Sequence, residues 1–485
     1  MTTTAFERAR PHDGVIAASL AATRDAVFWT QDAPCERSPR LEGTIEADLA
    51  IVGGGYTGLW TALRAKDREP DARVVVIEAK RIGWAASSRN GGFVEASLTH
   101  GEENGKRRWP EELEHLDALG LQNLDDIEAT VARERMKVDF ERTGTLSVAI
   151  EPHQVEWLEP ERPNTADDLF LDATAIRKEV NSPTYLAGRW EKRSTAMVHP
   201  AKLAVELARV ARERGVLIFE DSPVRALADR TSGGRTDGTS GGIDVQTAGG
   251  QVRAQRVALA TNVFPSLLKR NRLMTVPVYD YVLMTEPLSA AQISDIGWNN
   301  RQGLADLANQ FHYYRLSADN RILFGGYDAI YHYGRRVKEQ YESRPDSHAK
   351  LASHFFTTFP QLEGLQFTHR WAGAIDTSTR FCAFYGTARR GRVAYAAGFT
   401  GLGVAATRFA GDVMLDLFDK AATGRGTERT ELRMVRERPL PFPPEPAAAM
   451  GINATRWSLN RADHREGRRN ILLKTLDAVG LGFDS

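Results

Sequence analysis

Three glycines at a fixed spacing constrain the fold of this chain more than any other feature. The motif Gly53-x-Gly55-x-x-Gly58 lies between the run Asp48 to Val52, which is typical of a buried strand, and the segment Thr57 to Arg68, which has helical spacing. In such a turn the first glycine permits the tight bend, the second lets the backbone approach a diphosphate, and the third lets helix and strand pack closely. The motif therefore predicts a strand–turn–helix unit that binds a dinucleotide.

An acidic residue follows at the distance that such a unit requires. Glu78 ends the β-branched run Arg73 to Ile77, about twenty residues after Gly58. A carboxylate there accepts hydrogen bonds from ribose hydroxyls, while the diphosphate lies at the N-terminus of the helix, where free N–H groups favour negative charge. The pattern does not separate NAD from FAD, and a glycine-rich turn without a ligand is the alternative interpretation.

Composition narrows the class of protein. The 485 residues carry 63 Lys and Arg against 63 Asp and Glu, which argues against a broad basic surface for nucleic acid or anionic lipid. The two cysteines, Cys35 and Cys382, cannot form a dithiol redox motif or a cysteine zinc site, and the 11 histidines show no metal-ligand spacing. No apolar run reaches the ~20 residues of a membrane helix, and the N-terminal residues lack the apolar core of a signal peptide. We expect a cytoplasmic protein without metal, membrane or nucleic-acid partners, and its oligomeric state is not set by the sequence.

A second glycine cluster appears late in the chain. Gly398-Phe399-Thr400-Gly401-Leu402-Gly403 lies between the apolar run Val393 to Ala397 and a segment of helical spacing. A second helix N-terminus aimed at the same cofactor suits a flavin, because the N1–C2=O edge of a flavin becomes anionic on reduction. A tight turn into a helix, with no ligand, is the alternative interpretation.

Between the two clusters the pattern changes to extended, aromatic-rich runs. Val278 to Leu283, Phe311 to Leu316 and Ile322 to Phe324 occur between Pro277 and Tyr327. Such runs, joined by turn residues, predict an antiparallel sheet in a separate layer.

The motifs resemble those of a known family. The Gly53 fingerprint, the run Gly83-Trp84-Ala85-Ala86-Ser87-Ser88-Arg89-Asn90-Gly91-Gly92 and the late cluster are similar to the FAD-dependent D-amino-acid oxidase superfamily, which includes glycine oxidase and sarcosine oxidase. The Ser-Arg-Asn-Gly-Gly run most resembles the gamma-glutamylputrescine oxidoreductase branch. The resemblance spans about residues 48–418.

The resemblance implies an α/β fold, α+β overall, in which a Rossmann-like FAD-binding domain is interleaved with an antiparallel-sheet substrate domain. We predict that residues 48–98, 195–268 and 370–425 form the FAD-binding domain and residues 99–194 and 269–369 the substrate domain. Residues 1–47 are expected to be an N-terminal tail, and residues 426–485 a C-terminal extension.

The resemblance also implies a set of cofactor-binding residues. They lie in the first turn, in the loop that wraps the flavin, in a segment whose valine backbone meets adenine, and in the late turn. The predicted set is Gly53, Gly55, Thr57, Gly58, Glu78, Ser87, Asn90, Gly91, Val224, Gly398, Thr400, Gly401, Leu402 and Gly403. For Val224 the alternative is packing in the core.

Some members of the superfamily attach the flavin to a cysteine in the segment that corresponds to residues 371–386. Cys382 lies there, but it is displaced from the matching position and has the apolar neighbours Phe381 and Phe384. A buried, unreactive thiol is the commoner role, so we predict that FAD is bound non-covalently.

The reaction implied by the resemblance is hydride transfer from an amine-bearing carbon to flavin N5, giving an imine that water hydrolyses. Reoxidation by O2 then yields H2O2. A primary or secondary amine, or an amino acid, is the expected substrate. Two alternatives stay open: a dehydrogenase that passes electrons to an acceptor other than oxygen, and a flavin-binding protein without catalytic activity.

Substrate contacts are expected from the aromatic-rich sheet and from the strand around Trp371. Alternation in Phe311 to Arg315 places Phe311, Tyr313 and Arg315 on one face of a strand. Arg315 is the first candidate for an anionic substrate group, because a guanidinium binds a carboxylate through two hydrogen bonds; a structural ion pair is its alternative. Tyr281, Tyr327 and Trp371 are candidate aromatic walls, with core packing as the alternative for each.

Overall fold

The computed structural model describes residues 2–231, 241–478 and 480–481, in which helices and strands alternate along the chain. The helices are α1 (Ala5–Arg8), α2 (Asp13–Leu20), α3 (Phe28–Asp32), α4 (Tyr56–Arg68), α5 (Glu102–Arg108), α6 (Leu113–Arg133), α7 (Ala173–Glu179), α8 (Pro200–Glu213), α9 (Ala290–Ile296), α10 (Pro345–Thr358), α11 (Gly403–Thr423), α12 (Glu428–Glu431), α13 (Arg433–Arg436), α14 (Ala447–Asp463) and α15 (Ile471–Ala478). None of the described helices is both long enough and apolar enough to cross a bilayer.

The strands form two large sheets and a small one. In chain order they are β1 (Arg24–Asp25), β2 (Gly43–Val52), β3 (Val74–Ile77), β4 (Phe93–Glu95), β5 (Thr145–Ala149), β6 (Asp168–Asp172), β7 (Ala187–Glu191), β8 (Thr195–Met197), β9 (Leu217–Phe219), β10 (Ala226–Thr231), β11 (Gly241–Gln246), β12 (Gly250–Leu259), β13 (Thr275–Thr285), β14 (Gly303–Asp306), β15 (His312–Leu316), β16 (Ile322–Gly326), β17 (Ile330–Tyr331), β18 (Phe367–Ser378), β19 (Phe384–Ala388) and β20 (Val393–Ala397).

The first sheet has a parallel centre. β20, β12, β2, β3 and β9 run parallel to their neighbours, while β10, β11 and β19 add antiparallel edges. The apolar runs of β2 and β3 are buried because α4, α8 and α11 cover one face of this sheet. The carboxyl ends of β2, β3, β12 and β20 therefore meet at one edge, and both glycine clusters begin there. The parallel strand–turn–helix unit predicted around Gly53 is confirmed.

The second sheet has the order β1-β18-β13-β16-β15-β14-β5-β7-β6, with β17 paired to β13. Most of its neighbours are antiparallel, as the aromatic-rich runs predict, and its own core contains Tyr279, Tyr281, Tyr314 and Phe324. The predicted combination of a Rossmann-like domain with an interleaved antiparallel sheet is confirmed.

Two predicted boundaries differ from the observed layers. Residue 370 falls inside β18, which pairs with β13 from Ser378 to Phe367 and so belongs to the second sheet. α6, assigned to the substrate domain, buries Leu116, Leu124 and Ile127 in the core of the first sheet. Local periodicity identifies these elements but does not show which layer they join, because that depends on contacts distant in sequence.

The predicted N-terminal tail is an integral part of the fold. β1 pairs with β18, and the side chains of Phe6 and Trp29 are 4% and 1% exposed. The proline-rich run at residues 439–446, whose composition is typical of a stiff spacer, forms neither helix nor strand, and α14 and α15 follow it. The Gly-, Ser- and Thr-rich run at residues 231–242, a composition that predicts a hairpin tip, lies mostly outside the described residues. The flanking strands β10 and β11 pair with each other.

Candidate functional site

The first glycine turn is closed so tightly that side chains are excluded. Gly53 has φ +113°, and a Cβ atom there would lie 2.4 Å from the carbonyl oxygen of Ala260 at the end of β12. A Cβ atom on Gly58 would lie 1.9 Å from the carbonyl oxygen of Gly53. The turn thus brings α4 against β2 at the distance that only glycine allows, and leaves the first turn of α4 facing the carboxyl edge of the sheet.

Glu78 fastens this turn to the next strand. Its Oε2 accepts a hydrogen bond from the Gly54 amide at 2.7 Å, and its Oε1 accepts from the Lys80 amide at 2.8 Å and from the indole of Trp84 at 3.0 Å. Burial raises the pKa of Glu78. Because a carboxylate has about four acceptor sites, these bonds leave capacity for a ribose hydroxyl, and that role stays a prediction.

The loop at residues 86–92 is folded by its own side chains. The Ser87 hydroxyl accepts from the Tyr56 amide at 3.0 Å, which ties the loop to the start of α4. The Asn90 side chain donates to the Ala86 carbonyl at 2.9 Å and accepts from the Gly92 amide at 2.8 Å. Ser87 and Asn90 therefore hold the loop beside the first glycine turn.

The late glycine turn is organised by a buried acid that the sequence reasoning missed. Asp376, on β18, accepts a hydrogen bond from the Gly398 amide at 2.5 Å. The Thr400 hydroxyl accepts from the Ser378 amide at 3.1 Å and donates to the Gly398 carbonyl at 2.9 Å. Burial raises the pKa of Asp376 to about 7 against the lowering effect of its backbone donors. These bonds set the start of α11, where Gly401 to Gly403 face the same cavity as the first turn.

That cavity has a volume of about 1060 Å³ and joins parts of the chain that are distant in sequence. Its walls come from the start of α4, the loop 86–92, strands of the second sheet, the late glycine turn and the C-terminal extension. The predicted residues that line it are Gly55, Thr57, Ser87, Asn90, Gly91, Tyr327, Thr400, Gly401, Leu402 and Gly403. Gly53, Gly58 and Gly398 lie in the two turns but outside this lining, and so does Glu78, which follows β3 and binds the first turn.

Arg315 lies away from the cavity that it is predicted to face as a substrate contact. It is 2% exposed and lies outside the cavity lining, where its Nη1 donates to the Val198 carbonyl at 2.7 Å and to the Gly92 carbonyl at 3.3 Å. Strand alternation gave the correct face, since Phe311 and Tyr313 on that face do line the cavity. The alternation pattern does not encode how deeply Arg315 is buried. At its buried position the guanidinium donates hydrogen bonds to the backbone, including that of Gly92 in the loop.

Two further substrate candidates also lie behind the lining. The Tyr281 hydroxyl donates to the Tyr341 carbonyl at 2.9 Å, and the Trp371 indole donates to the Arg89 carbonyl at 2.9 Å. Val224 is partly buried against the core of the first sheet and likewise lies outside the lining. Of the four substrate candidates, Tyr327 is the one that faces the cavity.

None of the sequence motifs indicated a hydrogen-bonded carboxyl–phenol pair that lies in the cavity wall. The Tyr313 hydroxyl donates a hydrogen bond to the Asp280 carboxyl group, and both residues line the cavity. Burial raises the pKa of Asp280 to about 6, although the bond from Tyr313 lowers it. The sequence feature that could have indicated this pair is the single acidic residue in the aromatic run Tyr279-Asp280-Tyr281. The Tyr313 ring also lies beside Gly91, where a Cβ atom would come within 2.8 Å of it.

The thiol that could carry a covalent flavin does not line the cavity. Cys382 is fully buried and lies outside the cavity lining. Burial raises the pKa of its thiol, which keeps it protonated and unreactive. In the described ranges, no group of three or more His, Cys, Asp or Glu side chains is arranged to hold a metal ion.

Comparisons with known proteins identify the family and the fold. The model of the family described as DAO, FAD dependent oxidoreductase, matches residues 48–417. Gamma-glutamylputrescine oxidoreductase of Escherichia coli is 32% identical over 389 residues, which cover 78% of this chain and 84% of that protein. A probable oxidoreductase, OrdL, of Haemophilus influenzae is 29% identical over 391 residues, with the same coverage of 78% and 84%. The crystal structure of glycine oxidase from Geobacillus kaustophilus has the same fold, with a TM-score of 0.61 at 20% identity, and the match covers 78% of this chain and 95% of that one.

Proposed function

Because this chain belongs to the DAO family of FAD-dependent oxidoreductases, we propose that it oxidises the C–N bond of an aliphatic amine and is reoxidised by O2. That it is an FAD-dependent amine or amino-acid oxidoreductase follows from the family and its relatives. The hydride mechanism, the acceptor and the substrate are the parts proposed here. These proposals rest on one observation: residues of both glycine turns and the Asp280–Tyr313 pair line the same cavity.

The residues present fit FAD. The Gly54 and Tyr56 amides are bound by Glu78 and Ser87, but the N-cap Gly55 has no side-chain capping bond, which leaves the other first-turn N–H groups of α4 available to a diphosphate. The start of α11 faces the same cavity, so that its dipole favours negative charge at the flavin pyrimidine edge. A volume of about 1060 Å³ exceeds what one small substrate needs and leaves room for a ring system and a substrate together.

When bound, FAD supplies the acceptor of a hydride from the amine-bearing carbon and returns those electrons to O2, giving H2O2. The protein then has to orient the C–H bond, exclude water and stabilise the positive charge that develops on nitrogen as the hydride leaves. We propose that Asp280 stabilises this developing positive charge. Asp280 lines the cavity, and its carboxylate accepts a hydrogen bond from Tyr313, whose ring lies beside Gly91.

The charge of the cavity favours a cationic substrate. Seven acidic residues line it, against two arginines, Arg89 and Arg456. The acidic residues are Glu95, Glu102, Asp117, Glu191, Asp280, Asp306 and Asp376. Burial and the nearby Glu191 raise the pKa of Glu95 to about 7. A substrate ammonium would lower that pKa and relieve the repulsion, so we propose a diamine derivative, in line with the name of the Escherichia coli relative.

The proposal is tested by mixing the holoenzyme, without oxygen, with putrescine, γ-glutamylputrescine, glycine and N-methylglycine. We expect the diamine compounds to reduce the flavin faster than the two small amino acids. Admission of air should then restore the oxidised spectrum rapidly and produce one H2O2 per amine oxidised. Slow reoxidation in air would favour a dehydrogenase, and reduction by dithionite but by no amine would favour a non-catalytic flavin protein.

A further inference from the structure

The C-terminal part of the chain covers the cavity. We call residues 439–478 and 480–481 the roof; they lie beyond the residues 48–417 that match the family. Fourteen of its described residues line the cavity, and all of them except Thr455 and Arg456 are without polar side-chain atoms. The roof is therefore an apolar surface with one cationic side chain, facing a cavity whose other walls are rich in acids.

One face of α14 supplies seven of these fourteen residues. Ala448, Ile452 and Leu459 line the cavity at helical spacing, together with Arg456. On the opposite face Met450 is 70% exposed. The inner face of α14 therefore contacts the cavity as well as the protein core, and its opposite face is exposed to solvent.

Both ends of α14 are tied to the second sheet. Before the helix, the Glu445 carboxylate accepts from the Gly334 amide at 3.1 Å and from the Tyr331 hydroxyl. At its end, Asp463 accepts from the backbone amide and the side-chain amide of Asn309, both at 2.8 Å. These bonds fix the position of the helix, so its inner face is a wall of the cavity and not a surface tail.

Arg456 is a free cation in that wall. It forms no ion pair or hydrogen bond with any residue that the structure describes, whereas the other cavity arginine, Arg89, binds Glu342 at 2.5 Å and the Ala372 carbonyl at 3.0 Å. A guanidinium presents a planar array of donors that matches a carboxylate. Arg456 therefore has the chemistry to bind an anionic group that enters the cavity.

We propose that the roof forms a distal subsite, in which the substrate end remote from the flavin places a carboxylate on Arg456 and methylene groups against Ile452 and Leu459. The substrate class is an aliphatic amine whose far end carries a carboxylate, such as a γ-glutamyl amide of a diamine. The proposal rests on the proposed function, since it assumes that the reacting amine lies at the Asp280–Tyr313 wall of the same cavity.

The test compares two amines that differ at the far end. γ-Glutamylputrescine carries the carboxylate and N-acetylputrescine does not, while the reacting amine is the same. In anaerobic stopped-flow reduction, Arg456→Met should raise the Kd of γ-glutamylputrescine about tenfold or more, as expected for loss of a charged hydrogen bond. It should leave the limiting reduction rate and the Kd of N-acetylputrescine unchanged. Arg456→Lys should restore part of the affinity, because it keeps the charge but loses the two-bond geometry.

Arg461→Met is the matched control. Arg461 lies on the same helix, outside the cavity lining, over the ring of the exposed Trp457, and its substitution should change neither Kd. Equal Kd shifts for both amines in Arg456→Met, or no shift, would overturn the subsite.

A separate binding measurement distinguishes failure of the subsite from failure of the proposed function. If neither amine reduces the wild-type flavin, the proposed amine chemistry fails. Calorimetric titration with γ-glutamyl-n-butylamide, which keeps the glutamyl α-carboxylate and α-amine but lacks the amine of the diamine part, then decides the subsite. Binding that weakens about tenfold in Arg456→Met supports it, whereas equal binding by both proteins, or no binding to the wild type, overturns it.

Discussion

The indole groups of Trp29 and Trp371 donate hydrogen bonds to consecutive carbonyl groups of one loop. Trp29 Nε1 lies 3.0 Å from the Asn90 oxygen and Trp371 Nε1 lies 2.9 Å from the Arg89 oxygen. Trp29 belongs to the N-terminal segment and Trp371 to β18, so two distant parts of the chain fix the loop that is predicted to wrap the flavin. The N-terminal segment is therefore a support for the site.

Trp29→Phe should weaken FAD binding while keeping most of the packing of the ring. A lost neutral hydrogen bond costs about 1 kcal/mol, so we expect the Kd of FAD to rise about fivefold. Titration of the apoprotein with FAD, followed by flavin fluorescence, measures the change. Trp457→Phe is the control, because Trp457 is 58% exposed and lies outside the cavity lining. An unchanged Kd in Trp29→Phe would show that the bond does not support the cofactor site.

Gly58→Ala should destabilise the fold and release the cofactor. The new Cβ atom would lie 1.9 Å from the Gly53 carbonyl oxygen, so α4 must move away from β2. Overpacking of this kind costs about 1–3 kcal/mol. Gly451→Ala, in the open part of α14, has no heavy atom within 4 Å of the new Cβ and should raise stability by up to about 1 kcal/mol. Urea unfolding of both variants measures the two effects, and a Gly58→Ala protein as stable as the wild type would contradict the close approach.

The first glycine unit could be predicted because each part of it is decided locally. The strand, the turn at Gly53 and the helix are encoded by adjacent residues, and the late turn at Gly398 to Gly403 has the same property. No local pattern shows that β18 joins the second sheet or that Trp29 is buried beneath the loop, because both depend on contacts between residues that are distant in sequence. Strand alternation correctly predicted the face of β15 on which Arg315 lies, but it did not predict that the side chain is buried outside the cavity lining.

The proposed role of Asp280 predicts a dependence of flavin reduction on pH. Its pKa is raised to about 6, so the carboxylate forms as pH rises through that value, and the reduction rate should rise with it. Tyr313→Phe removes a hydrogen bond that lowers this pKa, so the acidic limb should move to higher pH. Asp280→Asn should lose the limb and reduce slowly at all pH values. Stopped-flow reduction rates across pH measure the limb, and an unshifted limb in Tyr313→Phe would assign it to another group.

The observed position of Arg315 predicts that it affects the cofactor and not substrate selection. Arg315→Met leaves the Val198 carbonyl group without its buried donor, which costs about 1–3 kcal/mol, whereas the Gly92 carbonyl keeps the hydrogen bond from the Val198 amide. We expect a lower melting temperature and weaker retention of FAD. In protein saturated with FAD, the ratio of KM values for γ-glutamylputrescine and N-acetylputrescine should stay at the wild-type value. A selective rise in the first KM would return Arg315 to the role of substrate ligand.

Anaerobic titration of the FAD-loaded protein with γ-glutamylputrescine tests the account most directly, because it requires the flavin site and the amine site to share one cavity. The account predicts full loss of the oxidised flavin spectrum with one amine consumed per flavin. A spectrum that stays oxidised with this and every other diamine derivative, while dithionite bleaches it, would contradict the account.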